Sequence, residues 1–178
     1  MPNETLQELK NYQNNLKFVY LLCYPAKAIL KENITTDRIK NTKLQLDNEV
    51  IDFATIVKTI EDGNLLEELL VKIEGGFLKN LVTDSLASLK AYCKSTNQTS
   101  KLESQPWWTY FRVVKNALGH DNIWNFDGYY KRLLPVTYNG ITITEELEGE
   151  SMSFAYFNGH LAWHLLNDVK DFINNELD

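Results

Sequence analysis

The sequence predicts a mainly α fold, a helical bundle of about five helices with a small β-hairpin near residues 134–147. Apolar residues recur at three- and four-residue steps in the first half and at the end of the chain, which is the period of one helix face. β-Branched residues alternate around Asn139-Gly140, a dipeptide typical of a type I′ hairpin turn. With 178 residues, 44% of them apolar, the chain is predicted to form a single domain over residues 1–178.

One-sided apolar patterns predict the first two helices. The first covers residues 4–22, and Pro25 then kinks or ends it because proline has no backbone N–H to donate. The second is predicted from about Asp47 to Glu61, with Asp47 or Asn48 as its N-cap. The sequence Asp62-Gly63-Asn64 is predicted to end it.

The third helix is predicted to be the longest, from about Leu65 to Lys94, with Gly75-Gly76 inside it. A glycine pair costs about 1–2 kcal/mol relative to alanine in a helix. The pair therefore has two interpretations. It marks either a close helix–helix approach or ligand-facing groove, or a kink or break into two helices.

The remaining elements follow a polar connector at residues 95–105. A fourth helix is predicted from Trp107, after Pro106, to about Leu118, with Gly119 as its stop. An irregular aromatic stretch leads into the hairpin. The chain closes with a helix over about residues 159–177, so the hairpin is an insertion before the last helix.

The net charge of −6 is unevenly distributed, and it argues against a protein that wraps nucleic acid over its whole surface. Residues 1–144 hold 17 Lys/Arg and 16 Asp/Glu, a balance of +1. Residues 145–178 hold one base and eight acids, a balance of −7. A local anion site in the first part is therefore compatible with the composition.

The two cysteines, Cys23 and Cys93, are predicted to be buried free thiols, with one disulfide or redox pair as the alternative. No stretch approaches about 18 uninterrupted apolar residues, so no membrane span is predicted. The N-terminal residues also lack the apolar run of a signal peptide. We therefore expect a cytoplasmic protein.

The fourth helix carries the main candidate site. Arg112, Asn116 and His120 step by four residues and are predicted to lie on one side, with Lys115 beside them. The opposite side is predicted to enter the core, and its residues are Trp107, Tyr110, Phe111, Val114, Ala117 and Leu118. A cation, an amide and an imidazole are thus brought together at the end of a helix.

The segment from Lys115 to His120, Lys-Asn-Ala-Leu-Gly-His, resembles the Arg-Asn-x-x-x-His motif of HEPN domains, small helical bundles of prokaryotic toxin–antitoxin, antiphage and CRISPR-associated ribonucleases. The resemblance implies RNA cleavage at a homodimer interface without metal or cofactor. It makes His120 the acid/base, Asn116 an orienting residue and Lys115 the occupant of the arginine position. The implied partners are RNA, a second copy of the chain and an antitoxin or defence-system protein, with no membrane.

Lys115 departs from the motif. Lysine keeps the charge but lacks the planar fork that binds phosphate oxygens in pairs, so weakened cleavage is expected unless Arg112 takes over that role. One alternative function is a catalytically degenerate relative that serves as a binding or regulatory subunit. Another is an unrelated helical interaction domain, in which His120 only caps the last carbonyls of the helix.

A row of His160, His164 and Asp168 recurs every four residues on the last helix. Such a spacing can hold a metal ion, but Asp171 shares the side and the apolar residues lie opposite. The row is therefore interpreted as a solvated or dimer face, and no metal site is predicted.

Nine of the 21 aromatic residues fall in residues 107–138. Beside Lys131 and Arg132 they could form a platform on which bases stack. A core under the hairpin or an oligomer interface is the favoured interpretation.

Overall fold

The computed structural model describes residues 5–31, 43–46, 49–52, 57–58, 61–153 and 155–178. The α-helices whose bounds fall within these residues are α1 (Leu6–Lys31), α2 (Gly63–Ser95), α3 (Thr99–Glu103), α4 (Trp108–Gly119) and α5 (Gly159–Asn175). Two antiparallel hairpins pair β1 (Lys43–Leu46) with β2 (Glu49–Asp52), and β3 (Val136–Tyr138) with β4 (Ile141–Ile143). The predicted mainly helical fold with a small hairpin is confirmed.

The chain divides into two compact units, residues 18–77 and residues 1–17 together with 78–178. The single domain predicted for residues 1–178 stays a prediction. All the candidate site residues lie in the unit formed by 1–17 and 78–178, which is called the main unit below.

The sequence predicts that Pro25 either kinks or ends the first helix. An end at Pro25 is wrong, because α1 continues to Lys31. Proline removes one backbone donor, yet the residues after it are mostly alanine, lysine and leucine, which are strong helix formers. At its start, Thr5 Oγ1 accepts from the Glu8 N–H at 3.2 Å and Glu8 Oε2 accepts from the Thr5 N–H at 2.6 Å. This reciprocal capping box satisfies two of the free donors of the first turn.

The helix predicted from Asp47 to Glu61 is wrong at its start, where residues 49–52 form strand β2. In the β1–β2 register, Leu46 pairs with Glu49 and Lys43 with Asp52. The strand contains Val50-Ile51, two β-branched residues of the kind that strands favour. Of the rest of that predicted helix, residues 57, 58 and 61 are helical. Residues 47–48 with the two N-cap candidates, 53–56 and 59–60 lie outside the described residues.

Helix α2 runs unbroken through Gly75 and Gly76, so the predicted break is wrong. Both glycines are exposed, and no described atom lies within 4 Å of a Cβ built on either one, so a close approach there is not observed.

We expect Gly76→Ala to raise the free energy of unfolding by about 0.5–1 kcal/mol. Alanine removes the backbone entropy cost of a helical glycine and has room for its methyl group here. Urea unfolding followed by circular dichroism measures the change. A stability equal to or below that of the unmodified protein would contradict the prediction.

The core of the main unit contains the apolar side of α4. All six residues predicted for that side are buried, and Trp108 and Val113 are buried beside them. Trp107 stands edge-on to Phe111 at a centroid distance of 6.0 Å and to Phe172 of α5 at 5.9 Å. Burial of this side against α5 leaves the other side of α4 available for the site.

Cys93 of α2 is a buried free thiol, as predicted, and burial raises its pKa to about 11. It therefore stays protonated and unreactive near neutral pH. The side chain of Cys23 lies outside the described residues. Among the described helices, none combines the length and the apolar character that crossing a bilayer requires.

The β3–β4 hairpin is confirmed. Asn139 and Gly140 have φ angles of 48° and 78°, the positive pair of a type I′ turn. The hydroxyl of Tyr138 donates to Asp168 Oδ2 of α5 at 2.6 Å, and its ring lies 5.2 Å from that of Tyr110. Burial is the main cause that raises the pKa of both Tyr110 and Tyr138 above the usual value. The hairpin is thus fixed to both α4 and α5.

These tyrosines predict a loss of stability at alkaline pH. The pKa values of both tyrosines are higher in the folded chain than in the unfolded chain. Their contribution to the free energy of unfolding is therefore fully present below about pH 10 and is lost as the pH rises further. We expect the free energy of unfolding to decrease above about pH 10, and to decrease less in Tyr138→Phe. Urea titrations at several pH values measure it, and a profile that is flat up to pH 11 would contradict the prediction.

Candidate functional site

A pocket of about 310 Å³ lies between α2 and α4 and is called the cationic pocket. Its lining residues are Thr83, Leu86, Ala87 and Lys90 of α2, Arg112 and Lys115 of α4, and Tyr130. Three of the seven are cations and none is an acid. Among the described residues, Lys90 and Lys115 form no ion pair, so their charge is not neutralised locally. Converging uncompensated cations make a site that attracts an anion.

Aromatic rings hold the guanidinium of Arg112 in place. Its centre lies 4.7 Å from the centroid of Tyr129 and 5.5 Å from that of Trp108, both cation–π distances. One of its nitrogens donates to the Tyr129 hydroxyl. Burial raises the pKa of Tyr130, and the nearby charge of Arg112 opposes that shift. Arg112 is therefore a preorganised donor rather than a mobile surface side chain.

Lys115 lies three residues after Arg112 on the same side of α4 and is exposed. The helical spacing predicts that these two cations lie together, and both line one pocket in the structure. Sequence patterns do not single out Lys90, and they include Tyr130 only as one of the nine aromatic residues in 107–138. Lys90 occupies an exposed position of α2 and looks like an ordinary surface lysine in sequence, because its significance depends on which helix packs beside it.

The amide of Asn116 is used within the chain. Its Nδ2 donates to the backbone carbonyl of Asn125 at 2.6 Å, and the side chain is half-buried. This bond holds the loop after α4 against the helix. Asn116 does not line the cationic pocket.

His120 follows the last helical residue and leaves the helical path, with φ −110° and ψ 47°. The predicted row of Arg112, Asn116 and His120 is therefore broken at its end. The backbone N–H of His120 donates to Ala117 O at 3.0 Å, but among the described residues its exposed ring makes no hydrogen bond. Capping of the last carbonyls by the imidazole is thus not observed, and the ring does not line the cationic pocket.

The loop after His120 is closely held. Asp121 and Asn122 have φ angles of 55° and 63°, a conformation that Asp and Asn tolerate better than most residues. The N–H of Ile123 returns to His120 O at 3.0 Å, and Ile123 forms an antiparallel bridge with Ser151. His120 is therefore presented at the surface by a defined turn.

The row on α5 does not form a metal cluster. The Nε2 atoms of His160 and His164 lie 3.3 Å apart and both rings are exposed. Asp168 is instead half-buried and bonded to Tyr138. The described part of the chain contains no group of three or more possible metal ligands. The exposure of the two histidines agrees with a solvated face.

The aromatic stretch is mainly core. Six of the nine aromatic residues are buried, namely Trp107, Trp108, Tyr110, Phe111, Trp124 and Phe126. Lys131, predicted to flank a stacking platform, pairs with Glu145 at 2.5 Å. The arginine that does lie over aromatic rings is Arg112, which the sequence did not associate with Tyr129.

Comparison of the chain with protein-family models, with curated proteins and with solved structures gives no match. The resemblance to HEPN domains thus depends on the motif residues and their helical setting.

Proposed function

We propose that this chain is a HEPN-like, metal-independent endoribonuclease of the toxin–antitoxin or antiphage defence type, acting in the cytoplasm as a homodimer. The observation that carries the proposal is the convergence of Arg112, Lys115 and Lys90 on one pocket without an acidic residue in its lining. Two of these cations belong to the motif helix.

Phosphate chemistry fits this pocket. A guanidinium fixed by two aromatic rings can present two N–H groups to the oxygens of a phosphodiester with little loss of side-chain entropy. The two lysines add point charges around the same group. When the ribose 2′-oxygen attacks phosphorus, the added negative charge on the equatorial oxygens is stabilised by these cations.

His120 is the proposed acid/base. A neutral imidazole accepts the proton of the 2′-hydroxyl as that oxygen bonds to phosphorus, and an imidazolium returns a proton to the departing 5′-oxygen. The product carries a 2′,3′-cyclic phosphate and a free 5′-hydroxyl. No metal is required, because the cations and the histidine supply both the charge and the proton transfer.

The homodimer is proposed because His120 lies outside the lining of its own cationic pocket. A second copy related by a two-fold axis beside α4 would place one chain's imidazole near the other chain's cations. Sedimentation at tens of micromolar gives the oligomeric state, and a monomer alone would count against this arrangement.

The proposal is tested by incubating unstructured RNA with the purified chain in EDTA. Cleavage is expected to proceed at an unchanged rate in EDTA and to leave 2′,3′-cyclic phosphate ends, which mass spectrometry of the fragments identifies. Cleavage that depends on added magnesium would contradict the mechanism. A double variant, Arg112→Ala with His120→Ala, prepared by the same procedure, controls for a contaminating nuclease.

A second candidate is a catalytically degenerate relative that binds RNA as a regulatory subunit. Two observations favour this second candidate. The Asn116 amide already donates to the Asn125 carbonyl, and His120 lies outside the lining of the cationic pocket. RNA binding without cleavage under any of these conditions would select this candidate.

A further inference from the structure

A second pocket, of about 180 Å³, adjoins the cationic pocket and is called the tryptophan pocket. Its lining residues are Lys90, Ala91 and Lys94 of α2, Thr99, Leu102 and Glu103 of α3, and Trp108 of α4. Lys90 lines both pockets. Trp108 is also one of the rings over which Arg112 lies. The two pockets are therefore neighbouring parts of one surface.

The two pockets differ in chemistry. The walls of the tryptophan pocket include the buried side chains of Leu102 and Trp108 and the half-buried Ala91. Such walls suit a flat, largely apolar group. Glu103 stands at this pocket together with Lys90 and Lys94, while the cationic pocket has no acid. The Glu103 carboxylate can accept a hydrogen bond from the amino group of a nucleobase, which no lining residue of the cationic pocket offers as a carboxylate.

The two pockets follow one another along α2, as a ligand with one anionic and one flat apolar part would require. Leu86 and Ala91, which line one pocket each, are five residues apart on α2, about 8 Å along its axis at 1.5 Å per residue. That distance is of the order of a single nucleotide. Lys90, between them, can contact the link between the two parts.

We infer that the two pockets together hold one nucleotide of unpaired RNA, with its phosphate on Arg112 and the lysines and its base in the tryptophan pocket. This inference rests on the proposed function and narrows its substrate to RNA with an accessible base. A base inside a helix is stacked and paired, so it cannot enter a pocket of this kind.

The test fills the tryptophan pocket without altering the charge. Fluorescence anisotropy compares Ala91→Phe with the unmodified chain for two labelled probes of equal length, an unstructured RNA and a base-free ribose-phosphate oligomer. We expect Ala91→Phe to weaken binding of the RNA by about 10-fold, the scale of losing one base contact, and to leave the base-free oligomer unaffected. Ala155→Phe adds the same side chain at an exposed position outside both linings and is the matched control.

If Ala91→Phe does not fold, Thr99→Phe fills the same pocket from an exposed position. Equal affinity of the unmodified chain for the two probes would overturn the base site and leave the proposed RNA binding intact. So would equal weakening of both probes by the pocket-filling variant. Binding of neither probe by the unmodified chain would overturn the proposed function together with this inference.

Discussion

Replacing His120 with alanine is expected to lower the rate of RNA cleavage by about 10²–10⁴-fold, the usual cost of losing a general acid–base. The thermal midpoint should stay nearly unchanged, because the ring is exposed and alanine keeps the backbone bond to Ala117. Affinity for RNA should also be kept, because the ring does not line the cationic pocket. Single-turnover cleavage, anisotropy and thermal melting measure the three quantities.

The matched control is His160→Ala, which removes another exposed histidine of the same unit. It should cleave RNA like the unmodified chain. If His120→Ala retains cleavage, the acid/base assignment is wrong. A loss of cleavage accompanied by an equal loss of binding or of folding would give His120 a different role.

The periodic parts of the molecule are those that the sequence predicts well. In α4, the buried positions follow from a 3.6-residue repeat of apolar side chains, so both its core side and the joint position of Arg112 and Lys115 could be predicted. The β3–β4 hairpin follows from Asn139-Gly140, because few residues other than these adopt two consecutive positive φ angles readily.

The parts that the sequence did not predict depend on contacts between distant segments or on weak local preferences. Lys90 joins the site because α2 and α4 enclose one pocket, and no pattern within either helix contains that information. The four-residue spacing predicts that His120 continues the row of Arg112 and Asn116, but the helix ends one residue before it. In residues 49–52, apolar spacing favours a helix, whereas short-range pairing between β1 and β2 gives a strand.

We expect Arg112, rather than Lys115, to be the principal phosphate ligand. Arg112→Ala should therefore lower RNA affinity by about 10–100-fold, which corresponds to the free energy of hydrogen bonds to a charged group. The reason is preorganisation: the rings of Trp108 and Tyr129 fix the guanidinium, whereas Lys115 is exposed and has no described partner. Lys115→Arg should then change cleavage little. Loss of the ring contacts costs only about 0.5–1 kcal/mol of stability, so Arg112→Ala should remain folded.

Two further variants distinguish the effect of paired donation by the planar Arg112 guanidinium from the effect of its positive charge. Arg112→Lys keeps the positive charge but loses paired donation, so it should recover only part of the affinity lost in Arg112→Ala. Arg132→Ala removes an exposed arginine outside the pocket lining and should bind RNA normally, apart from a small salt-dependent decrease. If Lys115→Arg instead increases cleavage several-fold while Arg112→Ala has no effect, Lys115 occupies the phosphate position. The contacts of Arg112 with the Trp108 and Tyr129 rings would then contribute only to packing, because a fixed guanidinium that contacts no phosphate adds nothing to the reaction.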